Sequence, residues 1–370
     1  MSFPACGAAY SFAELKNFYE GKRVFVTGHT GFKGSWLLLL LDLLGADVCG
    51  YALPPERGSL FSAIRADKSC ESVCGDVCDL KKLRDVLCAF RPQIVFHLAA
   101  QSLVLEGYSQ PVRTFSTNVL GTVHLLESVR SCADVKSVVN VTTDKVYKND
   151  GAGHLFSESD ALGGTDPYSG SKACSEIVTE SYRAAYLEEK GIALSSVRAG
   201  NVIGGGDRAA DRILPDCVRA AERGEKAVLR NPHAVRPYQH VLDALRVYLI
   251  LAARQTEDMS VAGGYNVAPA PESCIETQRL AQLFCEFWGE GAEYVSCPVS
   301  GAPAEAPRLV LDPKKTEERL SVRPVWDVRQ AVKRTVEWEK AVLSGKDARE
   351  VSAAQIGEFF AEMDRTGEKI

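Results

Sequence analysis

Apolar runs of strand length alternate with helix-patterned segments from residue 23 to residue 203, and this alternation is the feature that most constrains the fold. The predicted strands are "RVFVTG", "DVCGYAL", "SVCGDV", "QIVFHLAA", "VKSVVNVTT" and "IALSSVRAGNV". Amphipathic or apolar helical segments separate most of them. Strands that alternate with helices indicate a doubly wound parallel α/β sheet. Such a sheet binds its ligands at the carboxyl ends of the strands.

The regular alternation of strands and helices ends after residue 203, where loops, short strands and helices mix. We therefore predict a dinucleotide-binding domain over residues 18–202 and a smaller, mixed substrate lobe over residues 203–345, with interleaving of the two allowed. Residues 346–370 are predicted to form a helical tail. Its apolar positions recur at helical spacing, which indicates packing on the core or on a second subunit. They are Ile356, Phe359, Phe360 and Met363.

Composition excludes several classes of function. The chain has 370 residues, of which 46% are hydrophobic and 25% charged, and a net charge of −5 without a basic block. Nucleic acid is therefore not an expected partner. The longest apolar run contains Asp42 and is too short to span a membrane, and the first residues lack a basic, signal-like segment. We expect a cytoplasmic protein with no membrane partner.

The twelve cysteines form no repeated metal-binding pair, and Cys74 and Cys78 have the wrong spacing for a zinc knuckle. They are predicted to be reduced thiols that serve as small core residues. His233 and His240 have no cysteine or carboxylate at matching spacing. No metal site is predicted.

The glycine-rich loop "TGHTGFKG" follows the first strand and opens a helix. Gly28, Gly31 and Gly34 would let the backbone turn sharply and approach a pyrophosphate at the helix N-terminus. Strand, loop and helix together indicate a Rossmann-type dinucleotide site. Lys33 is either an additional phosphate contact or a solvated surface lysine.

The second strand lacks the terminal acid that would bind the adenosine 2′-hydroxyl. It ends "GYALPP", Asp47 lies too early, and Arg57 just beyond could meet a 2′-phosphate. Local chemistry therefore leaves NAD and NADP open. Asp76, after the third strand, is a candidate for the adenine amine or, alternatively, a cap at the start of a helix.

Two polar clusters stand where catalysis is expected. "NVTTDKVY" places a hydroxyl, an acid and an amine directly after a buried strand, and "DPYSGSKACSE" places Tyr168 and Lys172 four residues apart on one helix face. An ammonium beside a phenol is expected to lower the pKa of the phenol and make it a usable base. With the glycine loop, these are the marks of the extended short-chain dehydrogenases/reductases.

The resemblance extends over most of the chain, from about Phe18 to the helix after Trp326. It is carried by "FYEGKRVFVTGHTGFKGSWL", "VTTDKVYKN", "ALGGTDPYSGSKA", "RAGNVIGGGD" and "RNPHAVRPYQHV", which resemble the CDP-glucose 4,6-dehydratase family. The resemblance implies an NAD-dependent hydro-lyase that oxidises C4 of a hexose, eliminates water across C5 and C6, and returns the hydride to C6.

The resemblance also implies residue roles. Thr143 would hydrogen-bond the C4 oxygen, Tyr168 would take the C4 hydroxyl proton beside Lys172, and Asp144, kept protonated, would donate to the departing C6 hydroxyl. Lys145, if neutral, would remove the C5 proton. The alternative for Lys145 is a pairing with Asp144 or with a phosphate.

Binding roles follow from the same resemblance. The implied cofactor-binding residues are Gly28, Thr30, Gly31, Phe32, Lys33, Gly34, Asp76, Val77, Leu98, Ala99, Ala100, Tyr168 and Lys172. The implied substrate-binding residues are Gln101, Asn201, Arg212 and Arg236. His97 and Asn118 are interpreted as structural or cofactor-adjacent.

The chain departs from the family pattern near the expected substrate site. Leu105 and Ser157 stand where arginine is usual, and Arg208 where tryptophan is usual. The preferred sugar and base stay open, as do an epimerase and a non-catalytic NAD(P)-binding regulator. The resemblance also implies a homodimer or homotetramer built by pairing the helix near Thr114–Arg130 with the helix that carries Tyr168.

Overall fold

The computed structural model describes residues 10–151, 153–297 and 308–367. Seven parallel strands form the central sheet in the order β3-β2-β1-β4-β5-β7-β11. They are β1 (Arg23–Thr27), β2 (Asp47–Ala52), β3 (Glu71–Cys74), β4 (Ile94–His97), β5 (Ser137–Val141), β7 (Ala193–Ala199) and β11 (Gly264–Val267). The predicted doubly wound α/β architecture is confirmed.

The other strands form small sheets beside it, and helices cover both faces. These strands are β6 (Leu155–Phe156), β8 (Asn201–Ile203), β9 (Ala227–Leu229), β10 (Val235–His240), β12 (Cys274–Glu276), β13 (Tyr294–Ser296) and β14 (Val310–Leu311). The helices are α1 (Phe12–Tyr19), α2 (Phe32–Leu43), α3 (Leu60–Ala63), α4 (Leu80–Phe90), α5 (Val104–Ser109), α6 (Pro111–Phe115), α7 (Gly121–Arg130), α8 (Pro167–Tyr182), α9 (Ile213–Arg223), α10 (Val241–Glu257), α11 (Thr277–Trp288), α12 (Lys314–Leu320), α13 (Val328–Leu343) and α14 (Ala348–Gly367).

Elements from the second half of the chain complete the central sheet and cover it. β11 pairs with β7 and forms one edge of the central sheet, and α10 packs against β5 and α2. Most side chains of α10 are buried, and most of its residues are accordingly apolar. Outside the central sheet, β8, β10 and β12 make a three-stranded sheet. Whether residues 18–202 and 203–345 behave as separate domains stays a prediction.

The C-terminal tail belongs to the core. In α14 the side chains of Ile356, Phe359, Phe360 and Met363 are all at most 5% exposed. Phe359 packs edge-to-face against Trp326, and Phe360 against Phe12. Helical spacing therefore identified an intramolecular packing face, and each aromatic ring gains from burial and from its edge contact.

The helix predicted near Thr114–Arg130 is confirmed, and consists of α6 and α7 joined by a π-helical turn at Ser116–Leu120. One prediction about the cysteines is wrong. Cys88 at the end of α4 forms a disulfide with Cys132, so the prediction that the cysteines are all reduced is wrong for this pair.

Within the described residues, every helix is too short or too polar to cross a lipid bilayer.

Candidate active site

The glycine loop after β1 is built for close approach of backbone. Gly28 has a φ of +74°, and a Cβ added there would lie 2.6 Å from the backbone nitrogen of Ala99. A Cβ on Gly34 would lie 2.3 Å from the carbonyl oxygen of Gly28, so this residue sets the packing of α2 on the loop. Glycine is therefore required at both positions for steric reasons.

Gly31 has a different role, because space is open beside it. It precedes α2 without a side-chain cap, and a Cβ there would meet only the Gly28 carbonyl, at 3.4 Å. The helix N-terminus is thus accessible and carries the positive end of the helix dipole. An open, uncapped helix end beside two obligatory glycines fits the pyrophosphate of a dinucleotide.

The adenosine end of this site contains no acid at the end of β2. Residues 53–58 are exposed, including Arg57, and Thr30 Oγ1 donates to the carbonyl of Leu53 at 3.0 Å. Asp76 Oδ1 accepts from the backbone nitrogen of Cys78 at 2.9 Å, so it closes a turn, while the cap of α4 is Asp79. The cofactor roles of Asp76 and the neighbouring Val77 stay predictions.

Lys33 lies on the first turn of α2 and is partly buried. Burial, together with the positive charges of Arg212 and Lys172, lowers the pKa of Lys33 to about 7. A fully solvated surface lysine is therefore not what the structure shows. The side chain belongs to the electrostatic environment of the site.

The strand end after β5 carries the polar trio Thr143, Asp144 and Lys145. Thr143 begins a single 3₁₀ turn over Asp144–Val146, which stops the strand and turns the trio toward the carboxyl edge of the sheet. Thr143 Oγ1 donates to Asp144 Oδ1 at 2.9 Å, and Asp144 is only 1% exposed. Its Oδ2 atom is buried with no hydrogen-bond partner in the described part of the chain.

Lys145 reaches back toward the acid. Its Nζ lies 3.9 Å from Asp144 Oδ1, with 22% of the Lys145 side chain exposed. The pairing that was the alternative interpretation of Lys145 is thus present. A buried carboxyl with one free oxygen can give a proton to a bound substrate, and an amine beside it can take one.

Tyr168 and Lys172 project from the first turns of α8. Asp166 caps this helix through the backbone nitrogens of Tyr168 and Ser169, and Pro167 occupies the first helical position. Lys172 is 4% exposed, and its Nζ donates to the carbonyl of Val141 at 2.9 Å. Helix capping and this one bond fix the base and its partner against the end of β5.

The expected direction of the Tyr168 pKa is wrong for the protein alone. Burial raises the pKa of Tyr168 to about 12, although a hydrogen bond with Thr143 acts in the opposite direction. Burial also lowers the pKa of Lys172 to about 8. Desolvation disfavours both charged forms, and Lys172 uses one donor on Val141 rather than on the phenol.

The predicted substrate residues differ in their surroundings. Arg212 lies at the start of α9, donates to Asp207 Oδ2 at 3.0 Å, and is close enough to lower the pKa of Tyr168. Gln101 is buried, and its amide bonds Thr114 and the Leu103 backbone.

Asn201 and Arg236 lie on the adjoining strands β8 and β10. Asn201 follows Gly200, where an added Cβ would lie 3.2 Å from Asp144 Oδ2. Arg236 is buried and donates to the carbonyl of Val235. Substrate binding by any of the four residues stays a prediction.

The three residues that depart from the family pattern make different contacts in the structure. Arg208 pairs with Glu222 at 2.9 Å and with the buried Glu339 at 3.0 Å. Leu105 is exposed on α5, and the Ser157 hydroxyl donates to Asp160. In this chain Arg208 therefore ties the loop after β8 to α13.

Several structurally important side chains escaped the sequence interpretation. Glu176 and Arg198 form a buried ion pair at 2.9 Å behind the trio. Glu176 lies four residues after Lys172, and that spacing was the available signal. Arg198 stands inside a fully buried strand, where a charge needs a buried partner.

The loop that precedes α5 is held by buried side-chain hydrogen bonds. Asn118, in the π-helical turn, bonds both backbone groups of Gln101 and the hydroxyl of Ser171 at 2.9 Å each. His97 bonds Thr27 at 2.7 Å. Both side chains are buried. Their interpretation as structural or cofactor-adjacent stays a prediction.

Comparisons with known proteins agree with this arrangement. A family model described as GDP-mannose 4,6 dehydratase matches residues 25–335. CDP-glucose 4,6-dehydratase of Salmonella typhimurium is 43% identical over 95% of this chain and 99% of that protein. The fold and these matches define an extended short-chain dehydrogenase/reductase. More particularly, the chain belongs to the GDP-mannose 4,6 dehydratase family of nucleotide-sugar dehydratases.

Solved structures share the architecture. UDP-glucose 4-epimerase of Thermus thermophilus, solved in complex with NAD, is 26% identical with a TM-score of 0.74, covering 86% of this chain and 99% of that one. An epimerase of Methanothermobacter thermautotrophicus has a TM-score of 0.77 at 22% identity, covering 90% of this chain and 96% of that one. The second likeness shows the fold alone.

Proposed function

We propose that this protein is an NAD-dependent hydro-lyase that converts CDP-glucose to CDP-4-keto-6-deoxyglucose. The observation that carries the proposal is the Asp144–Lys145 pair, 3.9 Å apart, next to the hydrogen-bonded Thr143 and Tyr168. Oxidation at C4 alone needs only the tyrosine, the lysine and the threonine. An additional acid and amine are what the elimination of water requires. The 43% identity to a CDP-glucose 4,6-dehydratase supports the choice of substrate.

In the first step Tyr168 accepts the proton of the C4 hydroxyl, and Thr143 hydrogen-bonds the same oxygen. Lys172 and Arg212 supply positive charge that favours the phenolate. NAD supplies the hydride acceptor and, in its oxidised form, a further positive charge. The open N-terminus of α2 at Gly31 would hold its pyrophosphate.

The second step eliminates water from the ketone. Lys145 takes the C5 proton, Asp144 gives a proton to the C6 oxygen, and the C6–O bond breaks as a C5–C6 double bond forms. The hydride is then returned to C6, and Lys145 returns a proton to C5. Atoms balance as loss of one water, with the cofactor regenerated. Solvent carries the proton from Tyr168 back to Asp144.

Isotope transfer tests the reaction class. Purified protein is incubated with NAD and with CDP-, UDP-, dTDP- and GDP-linked glucose that carries deuterium at C4. A dehydratase places the deuterium at C6 and lowers the product mass by one water, whereas an epimerase keeps it at C4 without a mass change. No turnover of any sugar would favour a regulator that only binds the cofactor. Turnover of another base in preference to CDP would overturn the substrate assignment.

Cofactor titration tests the second part of the proposal. NAD is expected to bind at least as tightly as NADP. A clear NADP preference would contradict the assignment and implicate Arg57 or Lys33 in binding the 2′-phosphate.

The cytoplasmic location expected from the sequence stays a prediction.

A further inference from the structure

A buried ion pair lies directly behind the catalytic segment. Glu176 on α8 and Arg198 on β7 are 4% and 6% exposed, and Arg198 Nη2 donates to Glu176 Oε2 at 2.9 Å. A buried ion pair is a poor source of stability, because desolvation offsets most of its attraction. Its position relative to the trio indicates another purpose.

Glu176 holds the residue that precedes the trio. Its Oε1 accepts a short hydrogen bond from Thr142 Oγ1, and its Oε2 accepts from Ser196 Oγ at 2.6 Å. Thr142 is peptide-bonded to Thr143. The carboxylate therefore fixes the point at which β5 ends and the trio begins.

Arg198 holds Tyr147, the second residue after the trio. Its Nη1 donates to the Tyr147 hydroxyl at 2.7 Å, and that hydroxyl donates to Asn266 Oδ1 at 2.6 Å. Tyr147 is 2% exposed and comes two residues after Lys145. The segment is thus held at both ends by the two members of one ion pair.

Lys172 adds a third contact to the same segment through its bond to the Val141 carbonyl. Glu176 lies one helical turn after Lys172 and favours its charged form. The other titratable groups that face Lys172 are Lys33 on α2 and His97 on β4, together with Tyr168 on its own helix.

We propose that Glu176 and Arg198 are positioning residues for the dehydratase reaction: Glu176, through Thr142, and Arg198, through Tyr147, hold Thr143–Lys145 in register with Tyr168. This inference rests on the proposed function, since it concerns the same trio. It assigns both residues a role in the rate of the chemical steps and only a minor role in substrate affinity.

The first test compares two isosteric changes of buried carboxylates. Glu176→Gln is expected to lower kcat by about tenfold to a hundredfold, because a small displacement of catalytic groups is costly, while KM stays nearly unchanged. The matched control is Asp243→Asn. Asp243 is also buried, with the charge of Arg246 nearby, but its hydrogen bonds go to the backbone of Val325 and Trp326 and not to the trio. The control is expected to lower the melting temperature comparably and to keep kcat.

The pH profile separates positioning from general destabilisation. Lys172 acts in its charged form, so activity is present below its pKa and lost as pH rises through it. Loss of the Glu176 charge should move the alkaline limb of kcat to lower pH. Arg198→Lys should lower kcat by releasing Tyr147 but leave this limb in place, since the Glu176 carboxylate remains.

A Glu176→Gln enzyme with the kcat and the alkaline limb of the Asp243→Asn control would overturn the inference. If Glu176→Gln does not fold, an Arg198→Lys enzyme with unchanged kcat would overturn it instead. All variants are assayed with whichever nucleotide sugar the parent protein turns over. Failure of the CDP-glucose assignment would therefore appear in the parent, and failure of the positioning role only in the variants.

Discussion

Two strand ends on the same edge of the sheet build the site by different means. After β1, glycines bring the backbone against Ala99 and leave the first turn of α2 open, with no side-chain cap. After β5, every important contact comes from a side chain, and the trio is held by α8 and β7 from behind.

The difference shows how each end can fail. The strand end after β1 depends on glycines. A Cβ added there would collide with neighbouring backbone atoms or would fill the open space beside the N-terminus of α2. The strand end after β5 depends on buried charges and hydroxyls, so a substitution that keeps the volume of a side chain but removes its charge or hydrogen bond should still reduce activity. Substitutions at the two ends should therefore separate cofactor binding from the chemical steps.

The largest effect is expected from Tyr168→Phe, at the side-chain end. Without the phenol no group takes the C4 proton, and kcat should fall by about a thousandfold. No reduced cofactor should appear in a single turnover, measured by its absorbance. Tyr168 is also an implied cofactor-binding residue, but Phe keeps the ring and removes only one hydroxyl, so NAD affinity should fall by less than about tenfold. A larger loss of NAD binding would contradict the separation of the two ends.

Asp144→Asn comes next, with an expected loss of about a hundredfold in the elimination step. Tyr168, Thr143 and Lys172 remain, so C4 oxidation should still occur and reduced nicotinamide should accumulate in a single turnover. The same absorbance measurement distinguishes this outcome from that of Tyr168→Phe. Turnover equal to that of the parent would show that Asp144 only ends the strand.

Gly31→Ala probes the backbone end, because the added methyl group enters the open space where the pyrophosphate would lie. It should weaken NAD binding by about tenfold, which equals the loss of one charge-assisted hydrogen bond. The fold should tolerate it, since the nearest contact of the new Cβ is 3.4 Å. Gly357→Ala, on α14 with nothing within 4 Å, is the matched control and should bind NAD normally. Calorimetric titration of NAD checks both variants, and equal affinities would remove the pyrophosphate role of Gly31.

The smallest catalytic effect is expected from the helices that support the side-chain end. Leu120, between α6 and α7, is 50% exposed, and Ile177 on α8 is 59% exposed, so both helices of the predicted pairing present apolar side chains at the surface. We expect a dimer through these helices. Leu120→Asp should give monomers by light scattering with kcat changed by less than about twofold.

Leu343→Asp is the control for that experiment, because Leu343 is 49% exposed at the end of α13, on a different part of the molecule. It should leave the assembly unchanged. A parent protein that is already monomeric at micromolar concentration would refute the dimer.

Much of the fold could be predicted from local patterns. The strands β1, β4 and β5 are short apolar runs because both faces of a parallel sheet are buried, and α2 follows its glycine loop as the motif requires. Helical spacing also found the packing face of α14. These features depend on neighbours in sequence, so periodicity and turn chemistry suffice.

Other features depended on residues far apart in the chain. β11 looked like part of a separate lobe, because nothing in "GGYNVAP" indicates that it pairs with β7. The Cys88–Cys132 disulfide joins positions 44 residues apart, and composition pointed to reduced thiols. Contacts of this kind form between elements that are far apart in the chain, so a local sequence pattern does not reveal them.

By itself the amino-acid sequence determined the doubly wound sheet, the glycine loop, and the residue types of the trio and of the Tyr168–Lys172 pair. Only the tertiary structure decided the electrostatics that act on them. Burial raises the pKa of Tyr168 to about 12, whereas a lysine four residues away on a helix had suggested the opposite direction. Desolvation depends on packing between elements distant in sequence, and at Tyr168 it outweighs the positive charge of Arg212, which lowers the pKa.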